Sequence, residues 1–330
     1  EAKPRRIGAG IELSSVDGLS VSTYWLHRNF LGGAERFRVD GEISGIGGET
    51  GGIDYTLSAS LRRPAVWGAD TDFLTTTSLS RLDEPSYLLE QFAIESTLTG
   101  PIGDNITIEG GIGLLAAYEQ AETGNRDYIL LTFPINGELD KRDDAANPKS
   151  GYYLDLDATP FIGVLGGDNG ARLFTDARVY RSFGADDRFT LAARSQIGSV
   201  LGATLDTAPA DYLFYSGGGG SVRGQQYQSL GIDRTIAGED VTTGGLSFAG
   251  AQLEARVDVT ESIGVVGFFD GGFVGDTANP FGDGNWQSGA GFGVRYNTGI
   301  GPIRLDIATP TSGDDAIDRV EIYIGIGQSF

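Results

Sequence analysis

One arginine on a glycine stem is the group in this sequence best placed for a specific polar contact. Gly217–Gly220 run directly into Ser221-Val222-Arg223-Gly224, and glycine tolerates positive φ and the close approach of other groups. The stretch around Arg223 is the longest without a strand pattern, and strands with strict polar/apolar alternation flank it on both sides. A guanidinium presents a planar fork of donors suited to carboxylates. The combination predicts a loop folded back into a barrel, with Arg223 seeking carboxylates on the barrel wall. Other groups with chemical potential read as structural. His27 is the single histidine; it lacks the serine and acid pattern of nucleophilic catalysis and is expected at a strand end, near Trp25 and Asn29. Asp143-Asp144, Asp186-Asp187 and Asp314-Asp315 lack the ligand comb of a calcium loop and read as solvated turns. With no phosphate loop and no nucleophile constellation, the chain is not expected to be an enzyme, and no cofactor or metal is expected.

Composition narrows the classes. The 330 residues carry 24 basic and 45 acidic groups, a formal net charge of -21. A nucleic-acid partner needs a basic footprint, so none is expected. There is no cysteine, hence no disulfide framework or thiolate chemistry. No run approaches the roughly 18 apolar residues that a membrane helix requires. The chain starts at Glu1 without an apolar signal segment and contains no methionine, as expected of a processed or trimmed piece of a longer precursor. Its 52 glycines exceed the usual share of about 7% but have no three-residue period, which excludes collagen.

The elements that would position Arg223 follow from a period of two. In Arg36–Ser44 the residues Arg36, Arg38, Asp40 and Glu42 alternate with Phe37, Val39, Gly41 and Ile43. Tyr128–Asp140 sets Ile129, Leu131, Phe133 and Ile135 against Thr132, Asn136, Glu138 and Asp140. Ala251, Leu253, Ala255 and Val257 alternate with Gln252, Glu254, Arg256 and Asp258, while Ile303, Leu305 and Ile307 alternate with Arg304 and Asp306. A soluble sandwich buries such an apolar face against a second sheet; a membrane barrel turns it to lipid and the polar face to a wet lumen. Many segments run to about ten residues or more, as a tilted membrane strand needs, against about five or six in sandwiches. The expected fold is therefore all-β, a closed antiparallel transmembrane barrel of about sixteen strands. Its strands start near Arg6, Leu19, Arg36, Gly52, Thr71, Tyr87, Ile106, Asp127, Tyr152, Ala171, Phe189, Phe248, Ile263, Ser288, Gly301 and Arg319.

Inside lipid an open sheet edge is not viable, so the first strand must meet the last. The chain ends in EIYIGIGQSF, with Ile322, Ile324, Ile326 and Phe330 on one face and Tyr323, Gly325, Gly327 and Ser329 on the other. Phe330 is expected in the aromatic girdle at the membrane interface. The first strand puts Arg6, Gly8, Gly10 and Glu12 on its polar face. Gly8, Gly10, Gly325 and Gly327 would leave both strands of this seam short of lumenal side chains, which weakens cross-strand packing. Two readings stand: a lateral gate that templates incoming strands by β-augmentation, or glycines that make room for the infolded loop.

These motifs resemble the BamA/TamA family of outer-membrane assembly proteins, over essentially the whole barrel and most strongly from Asp140 to Phe330. Val222-Arg223-Gly224 is similar to the family's sixth-loop motif, Val-Arg-Gly-aromatic, although the aromatic is Gln225 here and Tyr227 follows two residues on. Phe268, Asp270, Gly272 and Val274 match its Phe-x-Asp-x-Gly-x-Val strand, and Glu254 falls where the strand after the loop carries a glutamate. Arg142, Asp143, Pro148 and Gly151 resemble its Arg-Asp…Pro-x-x-Gly turn. GGGGSVRGQQYQSLG and the ending IGIGQSF look most like the TamA branch. The resemblance implies that Arg223, on a long sixth extracellular loop, pairs with Glu254 and Asp270. Strand parity agrees, since both carboxylates share the lumenal face of adjacent strands, the twelfth and thirteenth.

By resemblance the chain is a single transmembrane barrel domain over residues 1–330, in the bacterial outer membrane, whose preceding POTRA repeats lie outside this sequence. The implied function is insertion or secretion of other β-barrel proteins, particularly autotransporters, through the lateral gate. The implied partners are outer-membrane lipid, client barrels and autotransporters, and a TamB-like periplasmic protein. A core BamA-type insertase, a two-partner secretion transporter and a passive porin are the alternatives.

Overall fold

The computed structural model describes residues 3–14, 18–48, 51–121, 123–236, 238–299, 301–313 and 316–330. The Asp314-Asp315 pair lies outside the described residues. Alternating sequence becomes strand: β1 (Arg5–Ser14), β2 (Gly18–Arg28), β3 (Arg36–Ile46), β4 (Asp54–Arg63), β5 (Asp72–Glu84), β6 (Tyr87–Ile102), β7 (Ile106–Ala121), β8 (Gly124–Thr132), β9 (Ile135–Asp140), β10 (Gly151–Leu165), β11 (Gly170–Phe183) and β12 (Phe189–Leu201). After the long loop follow β13 (Ile232–Ile236), β14 (Glu239–Thr243), β15 (Ser247–Asp258), β16 (Ile263–Gly275), β17 (Gly284–Thr298), β18 (Gly301–Pro310) and β19 (Glu321–Ile326).

Every wall strand pairs antiparallel with its sequence neighbours, and β1 pairs with β19 to close the ring. The stretch expected as one strand from Tyr128 to Asp140 is divided at Phe133-Pro134. Pro134 has no N–H to donate. Both halves nevertheless pair with β7 and β10, and the register is continuous: Gly113↔Thr132 leads to Gly110↔Ile135. β8 and β9 therefore form one stave. With β1–β7, β10–β12 and β15–β19 they make sixteen, the number read from the alternation.

Parity separates two surfaces. Ile7, Leu57, Leu79, Leu253, Phe269, Phe292 and Ile324 lie exposed on the outside, with Tyr152 and Trp286 also exposed. The inner face is not polar throughout. Leu89, Leu115, Tyr128, Leu130 and Phe161 point inward and pack with Ala210 of the long loop. A second apolar cluster joins Val200, Phe248 and Val274 to loop residues Leu213, Phe214 and Leu246. The loop between β12 and β15 is thus packed into the lumen, and it contains the β13–β14 hairpin where no strand pattern was read.

The two faces are expected to respond differently to charge. Leu253→Arg, at the middle of an outward face, should lower stability by about 2–4 kcal/mol if it sits at the bilayer midplane. The inward-facing Ser78→Arg should have a much smaller effect. Urea unfolding of the barrel in lipid vesicles measures both.

Candidate functional site

The tip of the lumenal loop is a shaped turn. Gly217 and Gly218 adopt φ of 114° and 86° and Gly224 adopts 92°, the region that favours glycine. Gly217 N–H donates to Ser221 Oγ (2.8 Å) and Gly218 N–H to the Gln225 carbonyl (3.0 Å). The glycine run therefore closes the tip on itself, and Arg223 is presented on a turn instead of a slack tether.

Arg223 is 1% exposed. Its Nε and Nη2 donate to Asp270 Oδ2 and Oδ1 at 2.7 and 2.9 Å, and its own backbone N–H reaches Asp270 Oδ2 at 3.1 Å. Nη1 donates to Glu254 Oε1 at 2.7 Å and lies 3.6 Å from Asp306 Oδ2. The guanidinium carbon sits 3.6 Å from the centre of the Phe268 ring, a cation–π contact. Phe268 and Asp270 from β16, Glu254 from β15 and Asp306 from β18 thus converge on one cation. Arg256 donates to Glu254 Oε2 (2.8 Å), and Arg295 bonds Asp306. Three arginines face three carboxylates, all buried. Removing one member of such a group leaves an unmatched buried charge, which is where its cost arises.

Small residues on the wall make the seat. A β-carbon at Gly272 would overlap Ser216 Oγ and Val222 Cγ2, and one at Gly289 would overlap the Arg223 carbonyl. Val222 and Val274 are both 0% exposed. Gly224 lies against the Thr309 backbone and donates its N–H to Tyr323 Oη at 3.1 Å. Gln225, which stands where an aromatic was expected, is buried and donates Nε2 to the Ser288 carbonyl (2.9 Å) and the Ser312 carbonyl (3.2 Å). It fastens the tip to β17 by amide hydrogen bonds instead of stacking.

The seam differs from the sequence reading in three places. Among the described residues the β1–β19 register is Ser14↔Tyr323, whereas β1 and β2 share ten register pairs. Counted on from that pair, Gly325 falls level with Glu12 and not with a seam glycine, and the described ladder does not extend to them. The lumenal space over the glycines is filled from neighbouring strands: Tyr24 covers Gly8, Ser22 Oγ lies by Gly10, and Arg304 lies over Gly325. Gly327 falls beyond β19 with φ of 93°, and this turn carries the last residues inward. Phe330 is therefore not in an aromatic girdle. It is buried against Tyr180 and Ala192, and its carbonyl accepts from Arg256 Nη2 at 3.0 Å. Gln328 Oε1 likewise accepts from Arg295 Nε at 2.9 Å. Tail and loop tip are consequently joined through the same group of arginines and carboxylates, and β19 is joined to the tip through the Gly224–Tyr323 hydrogen bond.

Sequence reasoning did not assign Asp306, Arg256, Arg295 or Tyr323 to this site. Parity carried the signal for all four, since each shares the lumenal face of its strand. It did not reach the second anchor of the loop, where Arg126 donates to the Asp206 carbonyl (3.0 Å) and Glu119 Oε2 accepts from Ala210 N–H (2.9 Å).

Comparison with known proteins decides what kind of barrel this is: residues 29–330 match the Omp85 superfamily domain. The chain belongs to the Omp85 superfamily. As an Omp85 barrel it is an outer-membrane β-barrel protein, of a group concerned with inserting or secreting other proteins. Its fold is similar to that of BamA from Haemophilus ducreyi lacking POTRA domains 1-3, with a TM-score of 0.85 and 15% identity over 99% of this chain and 70% of that one. CdiB from Escherichia coli gives 0.63 at 14% identity, over 99% of this chain and 63% of that one. CdiB from Acinetobacter baumannii gives 0.60 at 12%, over 98% and 59%. This Omp85 barrel therefore spans less than two thirds of either CdiB chain.

Two outcomes are expected at the tether. Arg223→Ala strands Asp270 and Glu254, costs about 3–5 kcal/mol and exposes the loop to added protease; Glu254→Gln, which keeps a hydrogen-bonding group of the same size, does less. An unchanged cleavage pattern in Arg223→Ala would contradict a tether. Gly272→Val overfills the seat of Val222 and should destabilise by about 1–3 kcal/mol, with the same gain in loop cleavage and no charge removed.

Proposed function

We propose that this Omp85 barrel is an assembly factor of the TamA type, which promotes insertion or secretion of β-barrel proteins and autotransporters through the seam between β1 and β19. The observation that carries the reading is the contrast at that seam: one described register pair, against ten between β1 and β2. A narrow ladder lowers the cost of parting two strands, and parted strands offer unpaired N–H and C=O groups to an incoming edge. The work is physical and not covalent, so no enzymatic step is involved. A TamB-like periplasmic protein is the proposed partner.

The loop tip bears on this reading because Gly224 holds Tyr323, the seam residue opposite Ser14. A passive porin is disfavoured by a lumen in which the loop packs through two apolar clusters and a buried charge group. The core BamA-type insertase and the two-partner secretion transporter share the fold, and they differ from this reading in the clients they serve.

The chain contains no cysteine, so Glu12→Cys with Gly325→Cys, each two residues from the Ser14↔Tyr323 pair, places a reporter pair across the seam. In the full-length parent protein, oxidation is expected to reduce client insertion into liposomes to the rate of protein-free vesicles, and reductant to restore it. A cross-linked barrel that inserts clients at the unlocked rate sinks the gate.

A further inference from the structure

We propose that the periplasmic rim of β1–β4, beside the seam, is a docking surface for an acidic, extended polypeptide segment. The proposal takes from the functional reading only that polypeptide reaches the seam from the periplasm. The rim is identified by the long loop between β12 and β15, which marks the extracellular end. Arg6, Arg28, Arg36 and Arg62 therefore lie at the opposite, periplasmic end of their strands, and all four are exposed.

Their arrangement is a row of like charges. Arg28 is the last residue of β2 and pairs with Arg36, the first of β3; Arg36 in turn pairs with Arg62 of β4. All three share the lumenal parity of Arg38 and Asp40, and Arg6 has that parity on β1. Like charges directly opposite on neighbouring strands are destabilising, so this row does not serve the fold. Two nearby cations are neutralised locally: Arg62 by Asp72 at 2.6 Å and Arg38 by Asp40 at 2.8 Å. Arg6, Arg28 and Arg36 make no ion pair or side-chain hydrogen bond among the described residues. They stand in a protein of net charge -21, so the basic row is set against the charge of the chain as a whole.

The spacing selects the ligand. Neighbouring strands lie about 4.8 Å apart, so the unneutralised Arg28 and Arg36 stand about 5 Å apart, with Arg62 beyond them engaged by Asp72. An extended chain repeats side chains on one face about every 6.5–7 Å, a spacing at which two carboxylates reach the two long guanidinium arms. A guanidinium fork receives a carboxylate bidentately. The row is closely spaced relative to a Debye length of about 8 Å and acts as one field. Lipid phosphate is the competing anion. It would meet the outward-facing Arg5 and Arg63, which flank the aromatic group of Trp25, Phe30 and Phe37. The inward row opens on the lumen mouth and not on lipid, which favours polypeptide.

The test uses the barrel in zwitterionic lipid nanodiscs and a short fluorescent peptide alternating Glu and Thr, read by anisotropy. Binding should fall about tenfold or more between low salt and about 0.3 M salt. It should fall about tenfold, near 1.4 kcal/mol, in Arg28→Gln/Arg36→Gln, and stay unchanged in Arg5→Gln/Arg63→Gln. The inner double variant removes a repulsion, so it should fold at least as well as the parent, checked by heat-modifiable mobility in gels. Equal affinity for a Gln/Thr peptide overturns the proposal, as does binding indifferent to the inner pair. Loss of association with anionic-lipid vesicles in the inner variant, with no peptide binding by the parent, would assign the row to lipid instead. Peptide binding needs no client insertion, so its outcome is separate from that of the cross-linked seam.

Discussion

A guanidinium buried at 1% exposure has to be matched where it lies, because an uncompensated charge away from water costs several kcal/mol. Much of the arrangement around Arg223 answers that requirement. Asp270 takes two side-chain donors and the backbone N–H of the same residue, Glu254 takes a third side-chain donor, and Phe268 covers the face of the fork. The carboxylates then need their own remaining oxygens satisfied, which brings in Arg256 and Arg295. Glycines at 272 and 289 leave room for the tip to reach this group. Loop position, wall flatness and the charge pattern of β15, β16 and β18 are one problem with one solution.

That group also links parts of the barrel that have no other reason to move together. Arg256 holds the carbonyl of Phe330, Arg295 holds Gln328, and the turn beside Arg223 holds Tyr323. The last strand and the tail that follows it are thereby tied to the loop in the lumen. The described ladder at the seam is short, and the loop tip holds Tyr323 on one side of it from within. The unneutralised arginines on β2 and β3 lie near the same seam, at the opposite end of the barrel from the loop's entry.

Much of the wall was legible because a bilayer enforces its pattern on every strand. A residue that faces lipid must be apolar and its neighbour faces the lumen, so period two repeats with few exceptions. Sixteen staves and the inward direction of Glu254 and Asp270 follow from that rule. The division at Pro134 hid inside an unbroken alternation, since parity is kept while one ladder bond is lost. The hairpin within the long loop was not legible for a different reason. Its strands pair only with each other, are largely exposed and carry no lipid-facing stripe to mark them.

The sequence by itself determined which face each wall residue presents, because that depends only on local alternation and on the solvent outside. Only the tertiary structure decided where the ends of the chain and the loop come to rest. Phe330 has the parity of a lipid-facing residue, yet a positive φ at Gly327 turns it inward against Tyr180 and Arg256. Gln225 breaks the expected aromatic, yet two backbone carbonyls far along the chain receive its amide. Asp306 joins Arg223 because β18 lies within reach once the ring is closed. These contacts join residues distant in sequence, and no local period records which distant groups closure will bring together.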